Sequence, residues 1–280
     1  MSQAIAVCHG EFGRAALYRL DKTIVTHAHR EGHLIFYVDG REACVVSGET
    51  NCTLDPRHAV AVSPWEPHSF HVAEGESNIC LVLYIKPMWF LENTSSAEFA
   101  LKFGRPDIAL NDEIIGHVSR LTSLLLENEG HIQFDQFLFC LTKASFDLSW
   151  SSSDGDYRGQ AYNRFSDFRV RRSLSLIQGM MCEDMEMKTL ARSVGLSRPH
   201  FFKLFKQYMG VTPNVYMNTL RSERAIEELL NSQKTVTDIA FDLGFSSQAS
   251  FTRFFSSNVG IAPSEYRRVA HVTDFAFPMM

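Results

Sequence analysis

Short runs of β-branched and aromatic residues follow one another along the amino-terminal part of the chain. Residue pairs with turn chemistry separate these runs, as at Asp39-Gly40 and Ser47-Gly48. Many short strands at close spacing are typical of a β-sandwich or a closed barrel rather than a parallel sheet. The predicted strands are residues 24–25, 34–38, 44–46, 59–62 and 79–85.

Further along the chain the hydrophobic period becomes that of a helix. Residues 112–127 and 134–148 each predict an amphipathic helix. Two alternatives stay open for the first helix. Its apolar face packs on the barrel of its own chain, or it forms the seam of a dimer, because the spacing also fits a coiled coil. That apolar face carries Ile114, Val118, Leu121 and Leu125.

Residues 151–167 are polar and rich in serine and glycine, which is typical of a flexible connector. The charge balance changes at the same place. From Ser166 onward the chain has 14 Lys and Arg against 11 Asp and Glu, whereas the preceding residues have 13 against 21. We therefore expect a domain boundary here, with the mildly basic second part suited to a polyanionic partner.

The second part of the chain contains nearly the same pattern twice. The first copy begins Leu-Ala-x-x-x-Gly-Leu-Ser, and the second begins Ile-Ala-x-x-x-Gly-Phe-Ser. The glycines of the two copies, Gly195 and Gly244, are 49 residues apart, and the tyrosines Tyr216 and Tyr266 are 50 residues apart. A repeat of this regularity indicates one supersecondary unit used twice.

The repeated unit has the signature of a helix-turn-helix. A short helix, residues 188–194 in one copy and 236–243 in the other, ends at the repeat glycine, which adopts a left-handed conformation without steric cost. Ser197 and Ser246 are the predicted N-caps of the second helix in each copy. A helix, a tight turn and a capped second helix are the elements of a DNA-reading helix-turn-helix.

The outward face of each second helix carries side chains that suit DNA. Arg and Lys reach guanine or phosphate, Gln bonds adenine, and Ala or Thr contacts the thymine methyl group. The alternative is an ordinary solvated helix face, which the matching second copy disfavours. Pro199 and Phe202 cannot hydrogen-bond bases, so we expect the first copy to read methyl groups or shape, or to hold phosphates. The predicted DNA-binding residues on these faces are Arg198, Pro199, Phe202, Lys203, Ser247, Gln248, Ala249, Thr252 and Arg253.

A predicted long helix, residues 215–230, joins the two copies. A rigid helix at this position fixes the separation of two reading helices, and adjacent major-groove segments on one DNA face lie roughly 34 Å apart. Arg221 on this helix is also a predicted DNA-binding residue. Two roles stay open for it, a phosphate contact or an ion pair with an internal carboxylate.

Taken together, residues 172–268 resemble the paired helix-turn-helix domain of the AraC/XylS family of bacterial transcription regulators. The resemblance implies base-reading positions at the outward residues already named and is fuller in the second copy. The residues that carry it are Leu190, Ala191, Gly195, Ser197, Phe205, Gly210, Pro213, Tyr216, Arg221, Ala225, Leu229, Ile239, Ala240, Gly244, Phe245, Ser246, Phe251, Arg253, Phe255, Gly260, Pro263, Tyr266 and Arg267.

Four histidines stand out in the predicted barrel. His27, His29, His33 and His68, the last within Pro64-Trp-Glu-Pro-His, resemble the two metal-binding motifs of cupins, with His33 where the cupin enzymes usually have Glu. Four imidazoles suit a divalent ion such as zinc, nickel or iron. The alternative is that they line an organic effector pocket, since many AraC-type regulators resemble cupins without using a metal.

Composition agrees with a two-domain globular protein. The 280 residues are 45% hydrophobic and 21% charged, with no apolar run long enough for a membrane span and no signal-like start. The six cysteines include no Cys-x-x-Cys pair, so we expect neither a disulfide framework nor a thiolate zinc site. We expect a cytoplasmic bacterial protein.

The predicted fold is α+β, with an amino-terminal cupin-like β-barrel and flanking helices before an all-α double helix-turn-helix domain. We predict a sequence-specific transcriptional regulator controlled by a small-molecule effector at the four histidines. A metal sensor is the alternative, and a cupin-type metal-dependent enzyme a further one, although no catalytic residues are predicted. The expected partners are double-stranded DNA, the effector, a second copy of the chain and RNA polymerase. The predicted domains are residues 1–90, the barrel; 91–150, a helical dimerisation or packing segment; 151–167, a linker; 168–270, the DNA-binding domain; and 271–280, a tail.

Overall fold

The computed structural model describes residues 2–92, 101–127, 131–151, 167–179 and 187–272. Most of the predicted linker and tail therefore lies outside the described residues. The strands are β1 Gln3–Gly10, β2 Gly13–Leu20, β3 Ile24–His27, β4 Gly32–Gly40, β5 Ala43–Ser47, β6 Thr50–Leu54, β7 His58–Val62, β8 His68–His71, β9 Asn78–Ile85, β10 Asp107–Ala109 and β11 Ala270–Val272. The helices are α1 Pro87–Glu92, α2 Asp112–Glu127, α3 His131–Trp150, α4 Phe168–Gly179, α5 Met187–Ser193, α6 Arg198–Met209, α7 Pro213–Asn231, α8 Val236–Asp242, α9 Gln248–Val259 and α10 Pro263–Val269.

Two sheets face each other and form the barrel. The seven-stranded sheet has the order β10-β7-β4-β9-β2-β1-β11, and the four-stranded sheet has the order β3-β8-β5-β6. The paired strands run antiparallel, except that β11 joins β1 in parallel register. The turn glycines Gly40 and Gly48 have φ values of 91° and 59°, a conformation that other residues rarely adopt. The predicted α+β fold with an amino-terminal barrel is confirmed.

Apolar side chains fill the inside of the barrel, and helices cover the outer face of its large sheet. Inside, Val45, Leu54 and Phe70 of the small sheet face the large sheet. The outer face of the large sheet packs against α2 and α3, where Leu83 and Leu138 are both fully buried. Alternation along the strands therefore serves two separate cores.

The apolar face of α2 is buried against its own chain. Leu121 is 0% exposed and packs with the large sheet and α3. The dimer seam that the sequence left open for this face is therefore wrong, because its side chains already have partners. Leu126, on the opposite side of the helix, is 54% exposed.

The carboxy-terminal helices also pack directly on the barrel. The end of α9 contacts β3, and α10 contacts β1. A Cβ atom added to Gly260 would lie 2.9 Å from Ile24 Cδ1, so glycine allows this close approach, with a φ of 91°. The core of the second helix-turn-helix and the barrel interior thus form one continuous apolar cluster.

Candidate DNA interface and histidine cluster

The first helix-turn-helix consists of α5 and α6. Ala191 of α5 and Phe201 and Phe205 of α6 are fully buried between the helices, and the turn passes through Gly195 with a φ of 75°. The backbone NH of Leu196 donates to the carbonyl of Ala191 and closes the turn. The small side chain of Ala191 lets the two helices approach closely.

The predicted reading residues of the first unit lie on the outward face of α6. Arg198, Pro199 and Lys203 are exposed. Phe202 is half-buried, and the Arg198 guanidinium lies 5.2 Å from its ring centroid. His200 is exposed on the same helix, and the sequence pattern gave no reason to select it. Arg198 and Lys203 are thus cations of this face, and Lys206 is a third exposed cation on the same helix.

The second helix-turn-helix repeats the arrangement with α8 and α9, around Gly244 with a φ of 79°. Its N-cap is Ser247 and not Ser246 as predicted, because α9 begins one residue later than the first copy implies. The Ser247 hydroxyl accepts a hydrogen bond from the backbone NH of Ser250, and the Ser250 hydroxyl accepts one from the backbone NH of Ser247. Ser247 is therefore held as a capping residue at the edge of the predicted reading face.

The outward face of α9 presents Gln248, Ala249 and Arg253 exposed, with Thr252 half-buried. The Gln248 amide oxygen accepts a 2.8 Å hydrogen bond from the Thr237 hydroxyl, which leaves its NH2 group as the donor toward solvent. Among the described residues, none of the ion pairs includes Arg253. The guanidinium is thus available to a base edge or a phosphate.

Between the two units, α7 extends through 19 residues. Thr212 caps it by accepting from the backbone NH of Val215 at 3.3 Å. Arg221 of α7 lies with its guanidinium 5.8 Å from the Phe245 ring centroid, and no ion pair in the described ranges includes it. The internal carboxylate partner that the sequence left open for Arg221 is therefore absent from the described structure.

The four histidine rings form one cluster beneath α7 and α9. Ring centroids lie 4.2 Å apart for His27 and His68, 4.9 Å for His27 and His29, and 4.3 Å for His33 and His68. One ring nitrogen from each of His27, His29 and His68 lies within 4.8 Å of the other two. His33 contacts the group but lies outside this set of three.

Hydrogen bonds fix the ring orientation of two of these histidines. Nδ1 of His27 donates to the carbonyl of Val25 at 2.7 Å, and Nδ1 of His68 donates to the carbonyl of Glu66 at 2.9 Å. A carbonyl only accepts, so Nδ1 carries the proton and the neutral ring leaves Nε2 as a lone-pair donor. Burial lowers the pKa of His27 to about 4, so this ring is neutral at neutral pH.

The other two rings have buried nitrogens without partners. Nε2 of His29 and Nδ1 of His33 make no hydrogen bond within the described structure. Burial, with the neighbouring histidines as a smaller cause, lowers the pKa of His29 well below its usual value. Neutral imidazoles with free lone pairs are the form that binds zinc, nickel or iron, so the residues fit such an ion. The rings have to turn inward to reach metal–nitrogen distances of roughly 2.0–2.1 Å.

The space inside the barrel at this cluster is small. A cavity of about 30 Å³ is lined by His27, His33 and His68, and Asn258 and Val259 from the end of α9 close it. This volume suits an ion or a water molecule rather than an organic effector. The helix that closes it is the predicted reading helix of the second unit.

The barrel also contacts α7 through residue pairs that the sequence did not predict. The Thr219 hydroxyl of α7 donates to the carbonyl of Ala28 at 2.8 Å. Trp65 stacks on Tyr216 with a centroid distance of 4.9 Å and an interplanar angle of 20°. These pairs are far apart in sequence, so no local pattern predicts them.

No helix within the described ranges has the length and apolar character needed to cross a membrane.

Residues 190–269 match a family model described as a helix-turn-helix domain. The probable transcriptional regulator LumQ of Photobacterium leiognathi is 26% identical over 257 residues, which cover 89% of this chain and 94% of LumQ. An uncharacterized HTH-type transcriptional regulator of Staphylococcus aureus is 36% identical over 102 residues. That match covers 36% of this chain and 14% of the relative, so the likeness to it is confined to one domain.

The same two-domain arrangement occurs in a solved structure of ToxT from Vibrio cholerae with an unsaturated fatty acid bound. Its TM-score is 0.51 at 17% sequence identity, and the superposition covers 91% of this chain and 94% of that one. At this identity the likeness concerns the fold.

Proposed function

We propose that this chain, whose residues 190–269 match a helix-turn-helix domain, is a sequence-specific DNA-binding transcriptional regulator of the AraC type under small-molecule control. The observation that carries the proposal is the pair of helix-turn-helix units with exposed second helices. The rigid helix α7 holds both units on one barrel. We assign no catalytic role to any residue.

The two reading helices take unequal parts in this proposal. In α9, Gln248 and Arg253 carry the donors that recognise adenine and guanine, and Ala249 and Thr252 offer methyl groups to thymine. In α6, Arg198 and Lys203 hold phosphates, while Pro199 and Phe202 contact methyl groups or follow groove shape. The second unit therefore supplies most of the sequence specificity.

In this proposal, the effector controls DNA binding through the contacts between the barrel and the two units. The end of α9 closes the barrel cavity, and α7 is tied to the barrel at Ala28 and through Trp65. An effector that prefers one arrangement of the barrel thereby shifts the placement of the two reading helices. The fatty acid bound to ToxT supports small-molecule control on this fold. A second copy of the chain, RNA polymerase and a cytoplasmic location belong to the same proposal.

Replacing Arg253 tests the reading role directly. Arg253→Ala removes a base-edge contact, so we expect specific DNA affinity to fall by about 1–3 kcal/mol, whereas binding to random-sequence DNA at the same salt concentration falls much less. The measurement is a fluorescence anisotropy titration at fixed ionic strength.

Arg19→Ala is the matched control, because Arg19 is an exposed arginine on β2 of the barrel and its loss changes net charge equally. Equal affinities for the wild type, the control and Arg253→Ala would refute the proposed role of α9.

A second candidate function is control by a divalent transition metal. It is favoured by the ring nitrogens of His27, His29 and His68, which lie within 4.8 Å of one another. When bound, such an ion supplies a fixed link between strands β3 and β8. The residues themselves orient the site, since the carbonyls of Val25 and Glu66 hold two of the rings.

A further inference from the structure

A cavity of about 610 Å³ lies between the barrel and α7, separate from the small space inside the barrel. Residues of β1 and β2 and of the segment just before β4 line one wall, and residues of α7 line the other. The volume falls within the usual range for small-molecule sites, roughly 300–1,000 Å³. This cavity therefore has room for an organic ligand, whereas the small cavity inside the barrel does not.

The barrel wall contains a buried cation without an anionic partner. Arg14 is 7% exposed, and its Nη1 donates to the hydroxyl of Tyr266 at 3.0 Å. Its guanidinium lies 3.7 Å from the Tyr84 ring centroid, and Nε has no acceptor. No ion pair in the described part of the chain includes Arg14. A buried charge is costly without an opposite charge beside it, so an anion in this cavity would stabilise the protein.

The opposite wall offers acceptors from α7. Oε2 of Glu223 pairs with Nε of Arg30 at 2.9 Å, but Oε1 is buried and has no donor. The neighbouring Ser222 is 6% exposed, and its hydroxyl also has no partner. Burial raises the pKa of Glu223 to about 7, although the nearby Arg30 guanidinium acts in the opposite direction. A cation here would complete its hydrogen bonding.

We propose that this cavity binds a small zwitterion of the amino-acid class, with its carboxylate at Arg14 and its ammonium group at Glu223 and Ser222. The pairing follows from the partnerless atoms, because Nε of Arg14 has no acceptor and Oε1 of Glu223 has no donor. Lys86, Glu11 and Glu31 also line the cavity, so its lining carries charges of both signs. A ligand with a single charge leaves one wall uncompensated.

Such a ligand connects the barrel with the helix that joins the two reading units. Its regulatory meaning rests on the proposed function, whereas its binding does not. A ligand that contacts both walls stabilises the arrangement in which α7 lies against the barrel. We expect DNA affinity to change when the cavity is filled, because α7 carries both reading units.

The test is a thermal-shift screen of the full chain with the standard amino acids offered singly. Isothermal titration follows for the tightest binder, for its amine without the carboxylate and for its carboxylic acid without the amine. Oleate is included as a long-chain carboxylate. We expect the amino acid to bind and both single-charge analogues to bind roughly 10- to 100-fold more weakly, since each lacks one charged hydrogen-bonding group.

Variants locate the site. Glu223→Gln is expected to weaken binding of the amino acid roughly tenfold or more. Glu227→Gln, on the exposed side of the same helix, is expected to leave it unchanged. Ile226→Trp fills the cavity and is expected to abolish binding while the circular dichroism spectrum stays that of the wild type. The analogue series probes the Arg14 side without replacing a residue whose loss endangers folding.

Binding of no amino acid, equal binding of the carboxylic acid analogue, preference for oleate, or equal effects of Glu223→Gln and Glu227→Gln would each overturn the proposal. DNA binding is measured in a separate titration with and without the amino acid. A chain that binds the amino acid but no DNA leaves the site in place and refutes the proposed function. A chain that binds both independently refutes the regulatory part of this inference.

Discussion

Single side chains decide what the histidine cluster can hold. His27 and His68 are each oriented by a backbone carbonyl, so their Nε2 atoms point away from that hydrogen bond with a lone pair. The buried Nε2 of His29 has no protein partner, which is a cost of roughly 1–3 kcal/mol unless a ligand compensates it. An ion bound here, as the second candidate function proposes, would compensate this cost.

Replacing one histidine of the cluster tests the metal-binding role. In protein purified without a histidine tag, we expect stoichiometric zinc, nickel or iron by mass spectrometry, and its loss in His27→Ala. His71→Ala is the control, because His71 lies on β8 with His68 but is exposed. Absence of metal from the wild type after equilibration with each ion would contradict the metal-binding role.

Among the elements, α2 shows how packing decides between alternatives that a pattern cannot separate. Its apolar spacing fits both a coiled coil and a helix packed on a sheet, and the buried state of Leu121 identifies the second. Leu121→Asp places a charge in this core, so we expect the free energy of unfolding to fall by about 4 kcal/mol or more. The measurement is urea denaturation.

Leu126→Asp serves as the control on the same helix, because Leu126 is 54% exposed, and its expected effect is within about 0.5 kcal/mol. Loss of self-association in Leu121→Asp without loss of stability would instead place this face in a dimer interface.

Among the described residues, local chemistry predicted the helices of both helix-turn-helix units and five of the eleven strands, but not how these elements pack together. The turn glycines Gly195 and Gly244 and the spacing of the buried phenylalanines specified both helix-turn-helix units from sequence. The parallel pairing of β11 with β1 joins residues more than 250 positions apart, as in Val7 with Ala270, and leaves no periodic signal. The shift of the N-cap from Ser246 to Ser247 also escaped prediction, because two adjacent serines are equally able to cap a helix.

The four histidines were identified by their spacing, and the structure places one ring nitrogen from each of three of them within 4.8 Å of the other two. The cavity beside Arg14 was not predicted, because its walls come from both ends of the chain and its residues share no motif. Sites between separate segments depend on docking, which amino-acid patterns do not encode locally.

Over the whole molecule, the barrel and the DNA-binding unit behave as one packed body. The equivalent tyrosines of the two units both contact the barrel, Tyr216 by stacking on Trp65 and Tyr266 by hydrogen bonds with Arg14 and His9. The end of α9 closes the barrel cavity. In the proposed function, this attachment is what lets a ligand of the barrel change the placement of the two reading helices.

The central claim is that the two units read one stretch of duplex DNA together. The most direct measurement is selection of the full chain on randomised duplexes, followed by sequencing and footprinting of the bound fragments. We expect two conserved segments whose centres lie about one helical turn, roughly 10–10.5 base pairs, apart on one face of the duplex, with the stronger base preference under α9. Selection without sequence enrichment, or a single segment without fixed spacing to a second, would contradict the account.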